Sequence, residues 1–221
     1  MELLGSELFG AIVWLEVYKY RSMTIPLADL PKADLGAVRA ALLSLICEVA
    51  YKEGDFTLSS GKKSTYYING KQVTLHAEGA LMVARLLLDM LPAGTAGVGG
   101  LTLGADPMVS AVSVVGAYEN KPVTPLIIRK EAKGHGTRAY IEGPVLPEGS
   151  TVTVLEDVVT TGASAMKAVE RLRGAGYVVN DILALVDRQQ GGGELYANEG
   201  LNFQPIFTIE ELQQYVRSQQ S

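Results

Sequence analysis

Two adjacent carboxylates beside a Thr-Thr-Gly turn could do chemistry together. Glu156 and Asp157 end an apolar run, the turn occupies residues 160–162, and a helical pattern follows. Ligands of open α/β sheets bind beyond the carboxyl ends of strands, and a helix N-terminus with glycine and hydroxyl groups suits phosphate. Carboxylates repel phosphate, but they accept hydrogen bonds from sugar hydroxyls. Because buried acids are costly, the pattern favours a ligand such as a ribose 5-phosphate over a plain turn capped by Ser164.

A second cluster, residues 129–138, is called the basic loop below. It contains four of the chain's 19 basic residues, one of its two histidines and two glycines, and it follows an apolar run. Glycines favour mobility, and a cationic loop beside a phosphate site neutralises charge that develops on a departing pyrophosphate. The alternative is a solvated basic surface loop.

The composition excludes several classes of protein. The chain has 221 residues, of which 48% are hydrophobic and 19% charged, as in folded domains. Its net charge of −5 argues against a main partner that is nucleic acid or an anionic membrane, and no apolar run reaches the ~20 residues of a membrane span. One cysteine, Cys47, and two histidines exclude a disulfide framework and a zinc site built from several Cys or His. We therefore expect a cytoplasmic protein.

The elements that must position these two clusters alternate regularly from residue 76 onward. Helical patterns cover residues 77–91, 107–118 and 164–173, and apolar strands cover 97–101, 125–128, 151–155 and 181–186. Upstream, a helix is predicted at 35–52, followed by short strands at 56–58 and 66–68. Apolar strands alternating with helices are typical of a parallel sheet covered on both faces.

The predicted fold class is therefore α/β, a Rossmann-like parallel sheet flanked by helices, with a small N-terminal hood. We expect one domain over residues 34–221 that includes the hood, and an N-terminal extension of uncertain role over residues 1–33. An alternative start at Met23 would leave residues 1–22 outside the native protein, and the intact mass of that protein decides between the two.

Several motifs resemble one enzyme family. The segment 154–164 resembles the ribose-phosphate motif of type I phosphoribosyltransferases, which share a Rossmann-like sheet and use phosphoribosyl pyrophosphate with magnesium. The Arg-Lys-x-x-Lys-x-His spacing of the basic loop resembles that of orotate phosphoribosyltransferases, in which the loop reaches the neighbouring subunit's site. Residues 56–69, 100–107 and 187–192 look like further motifs of that family, in family order.

The resemblance implies a set of site residues. Catalytic roles fall to Lys133, His135 and Asp157. Phosphoribosyl pyrophosphate would be bound by Arg129, Lys130, Lys133, His135, Glu156, Asp157, Val158, Val159, Thr160, Thr161, Gly162, Ala163 and Ser164. Orotate would be bound by Tyr67, Ile68, Thr160 and Arg188, with Arg188 facing the orotate carboxylate. No residue is assigned to metal, since magnesium is expected mainly through the substrate.

Two positions depart from the family pattern. Ser59 stands where several members carry a lysine that contacts the pyrophosphate or the base, so that contact is not expected here. The acidic pair is Glu-Asp rather than Asp-Asp. The implied activity is transfer of the 5-phosphoribosyl group from phosphoribosyl pyrophosphate to orotate in pyrimidine synthesis, by a homodimer with shared active sites. Two alternatives stay open: a phosphoribosyltransferase for another base, such as a purine, and a non-catalytic regulator that senses phosphoribosyl pyrophosphate.

Overall fold

The computed structural model describes residues 25–57, 61, 63–133 and 139–220. A short 3-10 helix, Leu30–Lys32, precedes the main elements. The helices are α1 Leu35–Val49, α2 Lys71–Thr74, α3 Ala77–Met90, α4 Asp106–Tyr118, α5 Ala163–Gly174, α6 Gly192–Asn198 and α7 Ile209–Gln219. The strands are β1 Tyr51–Thr57, β2 Lys63–Ile68, β3 Gly97–Leu101, β4 Thr124–Ile128, β5 Ile141–Glu142, β6 Val152–Val159, β7 Asp181–Asp187 and β8 Asn202–Thr208.

Side-chain caps fix the starts of several helices. The Asp34 carboxylate accepts hydrogen bonds from the first backbone N–H groups of α1, and His76 Nδ1 accepts one from Gly79 in α3. Thr208 and Glu211 form a reciprocal capping box at the start of α7. Each cap satisfies N–H groups that have no partner within the helix.

A six-stranded sheet forms the centre of the fold, in the order β5-β4-β3-β6-β7-β8. Neighbouring strands are parallel except β5, which runs antiparallel to β4 at the edge. Every residue of β3 is buried. One apolar cluster joins the sheet to α1, α3 and α4, and a second joins it to α5. The predicted α/β class, a parallel sheet flanked by helices, is confirmed.

The hood is the antiparallel β1–β2 hairpin, in which Tyr51 pairs with Ile68. The predicted helix over residues 35–52 was wrong at its C-terminal end, because α1 ends at Val49 and the strand begins two residues later. Pairing with β2 takes residues 51 and 52 into the sheet ladder, although the apolar pattern of α1 continues to this point.

Other bounds also differ from the sequence-based ones. Strand β6 continues to Val159, so Glu156 and Asp157 lie within the strand rather than beyond it. The elements α2, β5, α6, β8 and α7 were not predicted. Strand β5 has only two residues, and β8 is an edge strand with mixed burial that contains Pro205, so neither carries a strong apolar signal. Within the described ranges, no helix combines the length and the apolar character needed to cross a membrane.

Candidate active site

A small cavity lies where β6 ends and α5 begins. It measures about 90 Å³, which is small beside the roughly 300–1,000 Å³ of a pocket for a drug-sized ligand, and so it suits a phosphate group rather than a base. It is lined by Glu156, Val158, Val159, Thr160, Thr161, Gly162, Ala163, Ser164, Ala165 and Tyr196. This space is called the phosphate cavity below.

The turn that rims the phosphate cavity depends on Gly162. Its φ is +84°, in the left-handed region, and a Cβ there would lie 2.8 Å from Cε1 of Tyr196. Gly162 is also the N-cap of α5, and no side chain caps the helix. The alternative in which Ser164 caps the helix was therefore wrong. The first N–H groups of α5 are not bound by a capping side chain, which leaves them suited to an anion.

Glu156 faces the phosphate cavity and is 8% exposed. Burial, with a smaller contribution from the neighbouring Asp157 carboxylate, raises the pKa of Glu156 to about 8, while Lys130 of the basic loop acts in the opposite direction. Its Oε2 atom is buried and has no hydrogen-bond partner among the described residues. Close to neutral pH this side chain is therefore largely protonated, and less repulsive to phosphate than a carboxylate.

Asp157 is covered by two glycine-containing segments. A Cβ on Gly104 would lie 2.8 Å from Asp157 Cγ, and a Cβ on Gly70 would lie 3.1 Å from its Oδ2. Burial raises the pKa of Asp157, whereas Lys71 and the backbone N–H groups of Val158 and Asp157 lower it. The acid therefore lies where the linker after the hood, strand β6 and the segment after β3 meet. Gly70 and Lys71 were not identified from the sequence.

Arg188 lies directly after β7, at the edge of the sheet where β6 also ends. It is 7% exposed, its Nε donates to the Tyr66 hydroxyl at 3.2 Å, and the guanidinium lies 4.8 Å from the centre of the Tyr66 ring. Its Nη2 is buried with no hydrogen-bond partner in the described part of the chain. Because Val159 and Asp187 are paired in the sheet, Thr160 and Arg188 follow neighbouring strands at the same edge.

The structure places Tyr66 beside Arg188, and Tyr66 was not among the predicted site residues. The predicted orotate-binding residue Tyr67 is 43% exposed and packs against Phe56 in a tilted arrangement with ring centres 5.6 Å apart, and Ile68 is buried in the apolar cluster under the hood. Successive side chains of a strand point to opposite faces, so Tyr66 and Tyr67 lie on different faces of β2. The alternation was available in the sequence, but the choice of face depends on pairing with β1.

The described part of the basic loop is anchored as a hairpin. Lys133 N donates to Ala139 O at 2.8 Å, and β5 pairs with β4 just beyond. Glu142 in β5 forms ion pairs with Arg129 at 3.1 Å and with Lys133 at 3.8 Å. Of the predicted loop residues, Lys130 is the one whose charge acts on Glu156. His135 and Ser59 lie outside the described residues.

Arg171 of α5 connects that helix to the basic loop. This residue was not identified from the sequence. One guanidinium nitrogen donates to the Arg129 carbonyl, and Nη2 donates to the Lys130 carbonyl at 2.8 Å. The guanidinium also lies 4.2 Å from the centre of the Tyr140 ring.

Among the residues that the structure describes, no group of three or more His, Cys, Asp or Glu side chains is placed to hold a metal ion. The chain thus shows a small cavity beside the first N–H groups of α5, two buried acids on β6, and a buried arginine directly after the adjacent strand.

The chain is similar to known proteins in sequence and in structure. No protein-family model matches it. It is 68% identical over 182 residues to the orotate phosphoribosyltransferase of a Nostoc species, and the alignment covers 82% of this chain and 88% of that relative. A solved structure of the Mycobacterium tuberculosis orotate phosphoribosyltransferase is 35% identical, with a TM-score of 0.71 over 79% of this chain and 98% of that one. The same enzyme in complex with 5-phospho-α-D-ribosyl 1-diphosphate is 32% identical, with a TM-score of 0.67 over 79% of this chain and 98% of that one.

Proposed function

The chain belongs to the orotate phosphoribosyltransferase family. From this premise we propose which residues bind each part of the two substrates and which stabilise the charges that develop in the reaction. Its activity is transfer of the 5-phosphoribosyl group from phosphoribosyl pyrophosphate to orotate, which gives orotidine 5′-phosphate and pyrophosphate in the synthesis of UMP. The enzyme is a pentosyltransferase. The observation that carries the assignment of residues is the phosphate cavity at the end of β6, with the buried Arg188 directly after the neighbouring strand β7.

The phosphoribosyl part of the substrate occupies the end of β6. The 5-phosphate binds in the phosphate cavity, where the N–H groups of Gly162, Ala163 and Ser164 and the hydroxyls of Thr160 and Thr161 serve as donors. The ribose hydroxyls donate hydrogen bonds to Asp157 and Glu156. Neutral Glu156 reduces repulsion toward the phosphate, while Lys71 favours the ionised form of Asp157.

Orotate binds between Thr160 and Arg188. The orotate carboxylate pairs with the Arg188 guanidinium, whose buried Nη2 has no hydrogen-bond partner in the described ranges. The Tyr66 hydroxyl, which accepts from both Arg188 at 3.2 Å and Gln190 at 3.3 Å, fixes the guanidinium plane. Tyr67 and Ile68 stay candidates for contact through their backbone groups.

The protein supplies electrostatic stabilisation rather than a base. The orotate ring nitrogen forms the new bond to the ribosyl carbon and passes its proton to the departing pyrophosphate or to water, so no basic side chain is required. Pyrophosphate leaves with the electrons of the broken C–O bond, and positive charge develops on the ribosyl carbon as it does so. Asp157 stabilises this cation, and the basic loop, with Arg129, Lys130, Lys133 and His135, stabilises the departing anion. To do so, Lys133 and Arg129 must release their ion pairs with Glu142 and bind pyrophosphate oxygens instead.

Magnesium fits this site as an ion carried by the substrate. Oxygen atoms are the ligands that magnesium prefers, so the ion would enter this site bound to the pyrophosphate oxygens of the substrate. When bound, it neutralises negative charge on the leaving pyrophosphate. Further parts of the proposal are a homodimer whose basic loops serve the partner's site, a cytoplasmic location, and a single domain over residues 34–221.

One assay tests the activity directly. Orotate consumption is followed by its ultraviolet absorbance with and without phosphoribosyl pyrophosphate and magnesium. We expect consumption only when all three are present, with release of pyrophosphate. Faster use of a purine base in competition would favour a different phosphoribosyltransferase. Binding of phosphoribosyl pyrophosphate with no pyrophosphate release would instead identify a regulator, and either result would overturn the assignment.

A further inference from the structure

Tyr196 in α6 is a fully buried tyrosine whose hydroxyl the mechanism above does not use. It is 0% exposed, and its ring packs edge-on against Phe203 with centres 5.1 Å apart. The hydroxyl oxygen is buried and has no hydrogen-bond partner among the residues described. Buried tyrosine hydroxyls nearly always find a partner, so an unpaired one beside a binding cavity indicates a ligand.

The hydroxyl end of the ring faces the phosphate cavity. The ring atoms of Tyr196 nearest to a Cβ built on Gly162 are Cε1 at 2.8 Å and Cζ at 3.0 Å, and Cζ carries the hydroxyl. Tyr196 also lines the cavity together with Glu156. The absence of a side chain at residue 162 therefore lets the phenol reach the underside of the turn that binds phosphate.

The surroundings keep this hydroxyl a donor. Burial, followed by the nearby Glu156 and Asp187 carboxyl groups, raises the pKa of Tyr196, so the phenol keeps its proton. Neither carboxyl group forms a hydrogen bond with the hydroxyl, since the oxygen has no partner in the described part of the structure. A bound phosphate has several free oxygens and accepts readily from such a donor.

We propose that the Tyr196 hydroxyl donates a hydrogen bond to the substrate's 5-phosphate, as a binding residue on the floor of the phosphate cavity. This inference rests on the proposed function, because it takes the phosphate cavity as the 5-phosphate site. It adds a side chain from α6, beyond the turn between β6 and α5, to phosphate recognition.

The test is Tyr196→Phe, which keeps the ring and removes only the hydroxyl. The matched control is Tyr177→Phe, since Tyr177 is a buried tyrosine of the same apolar cluster that does not line the cavity. Binding of ribose 5-phosphate is measured by calorimetry, steady-state kinetics are measured with phosphoribosyl pyrophosphate and orotate, and unfolding is followed without ligand.

We expect Tyr196→Phe to weaken ribose 5-phosphate binding roughly 10- to 100-fold, the range for a hydrogen bond to a charged group, and to raise the KM for phosphoribosyl pyrophosphate more than it lowers kcat. The ligand-free unfolding midpoint should not fall, because no hydrogen bond within the described protein is lost. The inference is overturned if Tyr196→Phe binds ribose 5-phosphate as tightly as the wild type does. It is also overturned if Tyr196→Phe lowers the ligand-free unfolding midpoint while its loss of affinity for ribose 5-phosphate is no greater than that of Tyr177→Phe. Wild-type protein without activity would instead count against the proposed function.

Discussion

Glu156 shows how burial changes the chemistry of a single residue. An exposed glutamate is ionised at neutral pH, but this one is 8% exposed and adjoins another buried acid, which raises its pKa from 4.5 to about 8. The folded protein therefore binds a proton that the unfolded chain releases between these two values. Stability from this group is fully present below pH 4.5 and is lost as the pH rises through about 8.

The Glu156→Gln variant should make stability less dependent on pH. Glutamine cannot ionise, so the loss of at most about 1.4 kcal/mol per pH unit that Glu156 imposes between pH 5 and 8 should disappear. Urea unfolding of ligand-free protein at several pH values in that window measures the slope. The control is Glu170→Gln, an exposed acid on α5, which should keep the wild-type slope. Parallel curves for wild type and Glu156→Gln would show that Glu156 is ionised throughout.

Arg188 is the residue whose replacement should separate the two substrates. Lysine keeps the charge but cannot form the paired hydrogen bonds of a guanidinium with a carboxylate. We expect Arg188→Lys to raise the KM for orotate roughly 10- to 100-fold and to leave ribose 5-phosphate affinity unchanged. Steady-state kinetics and calorimetry measure the two effects, and Arg39→Lys, on α1, is the control. Equal loss of affinity for both ligands would show that Arg188 supports the fold of the site rather than orotate.

At the scale of elements, the acid-bearing strand β6 is fitted between two backbone segments. The segment after β3 approaches Asp157 so closely that a methyl group at Gly104 would lie 2.8 Å from the carboxyl carbon. The position of that segment therefore depends on the absence of a side chain. By contrast, nothing lies within 4 Å of a Cβ built on Gly174, at the end of α5.

Gly104→Ala should displace the segment after β3 or the Asp157 carboxylate, whereas Gly174→Ala should be tolerated. We expect the first variant to lose about tenfold or more in turnover, since an ångström-scale displacement of a catalytic group is this costly, and to unfold at lower temperature. The second should keep its activity and gain up to about 1 kcal/mol in stability. Turnover and thermal unfolding of both variants provide the comparison. If Gly104→Ala kept wild-type turnover, close approach at this position would not matter for catalysis.

The sequence predicted the central elements well and the edges poorly. Strands β3, β4, β6 and β7 are nearly continuous apolar runs because helices cover both faces, so their pattern is strong. Strand β8 lies at the edge with alternating burial, and β5 is held by only two pairs with β4. Local pattern cannot show such elements, because pairing partners distant in sequence determine them.

The candidate site likewise contains some residues that the sequence indicated and others that only tertiary packing reveals. The turn at residues 160–162 follows from local sequence, since it comes directly after an apolar strand, whereas the arginine after β7 was indicated by the family resemblance. Tyr66 instead of Tyr67, and the Tyr196 hydroxyl under Gly162, depend on strand pairing and on a helix that was not predicted. Residues brought in by tertiary packing leave no spacing signal of their own.

At the scale of the whole molecule, the proposed homodimer makes a specific prediction about mixed subunits. If Lys133 serves the partner's site, Lys133→Ala and Arg188→Gln should each be nearly inactive alone. Half of a random mixture of the two is mixed dimer, and each mixed dimer has one intact site. Co-expression should therefore restore roughly a quarter of wild-type activity.

Activity of the co-expressed pair, purified through one tag carried by both chains so that all dimers are recovered, measures this restoration. Lys121→Ala, an exposed lysine at the opposite end of β4, is the control for loss of charge and should be active alone. No restoration in mixed dimers would show that the basic loop acts on its own subunit's site.

The hydrogen bonds from Arg171 to the base of the basic loop have a thermodynamic consequence. Arg171 lies eight residues after Ala163 in one uninterrupted helix, about 12 Å along its axis. Any restraint that a phosphate imposes on the first turn of α5 is therefore shared by the anchor of the loop. Ordering at one end of α5 therefore favours ordering at the other, so phosphate binding at the first turn and anchoring of the residues at the base of the basic loop should be positively cooperative.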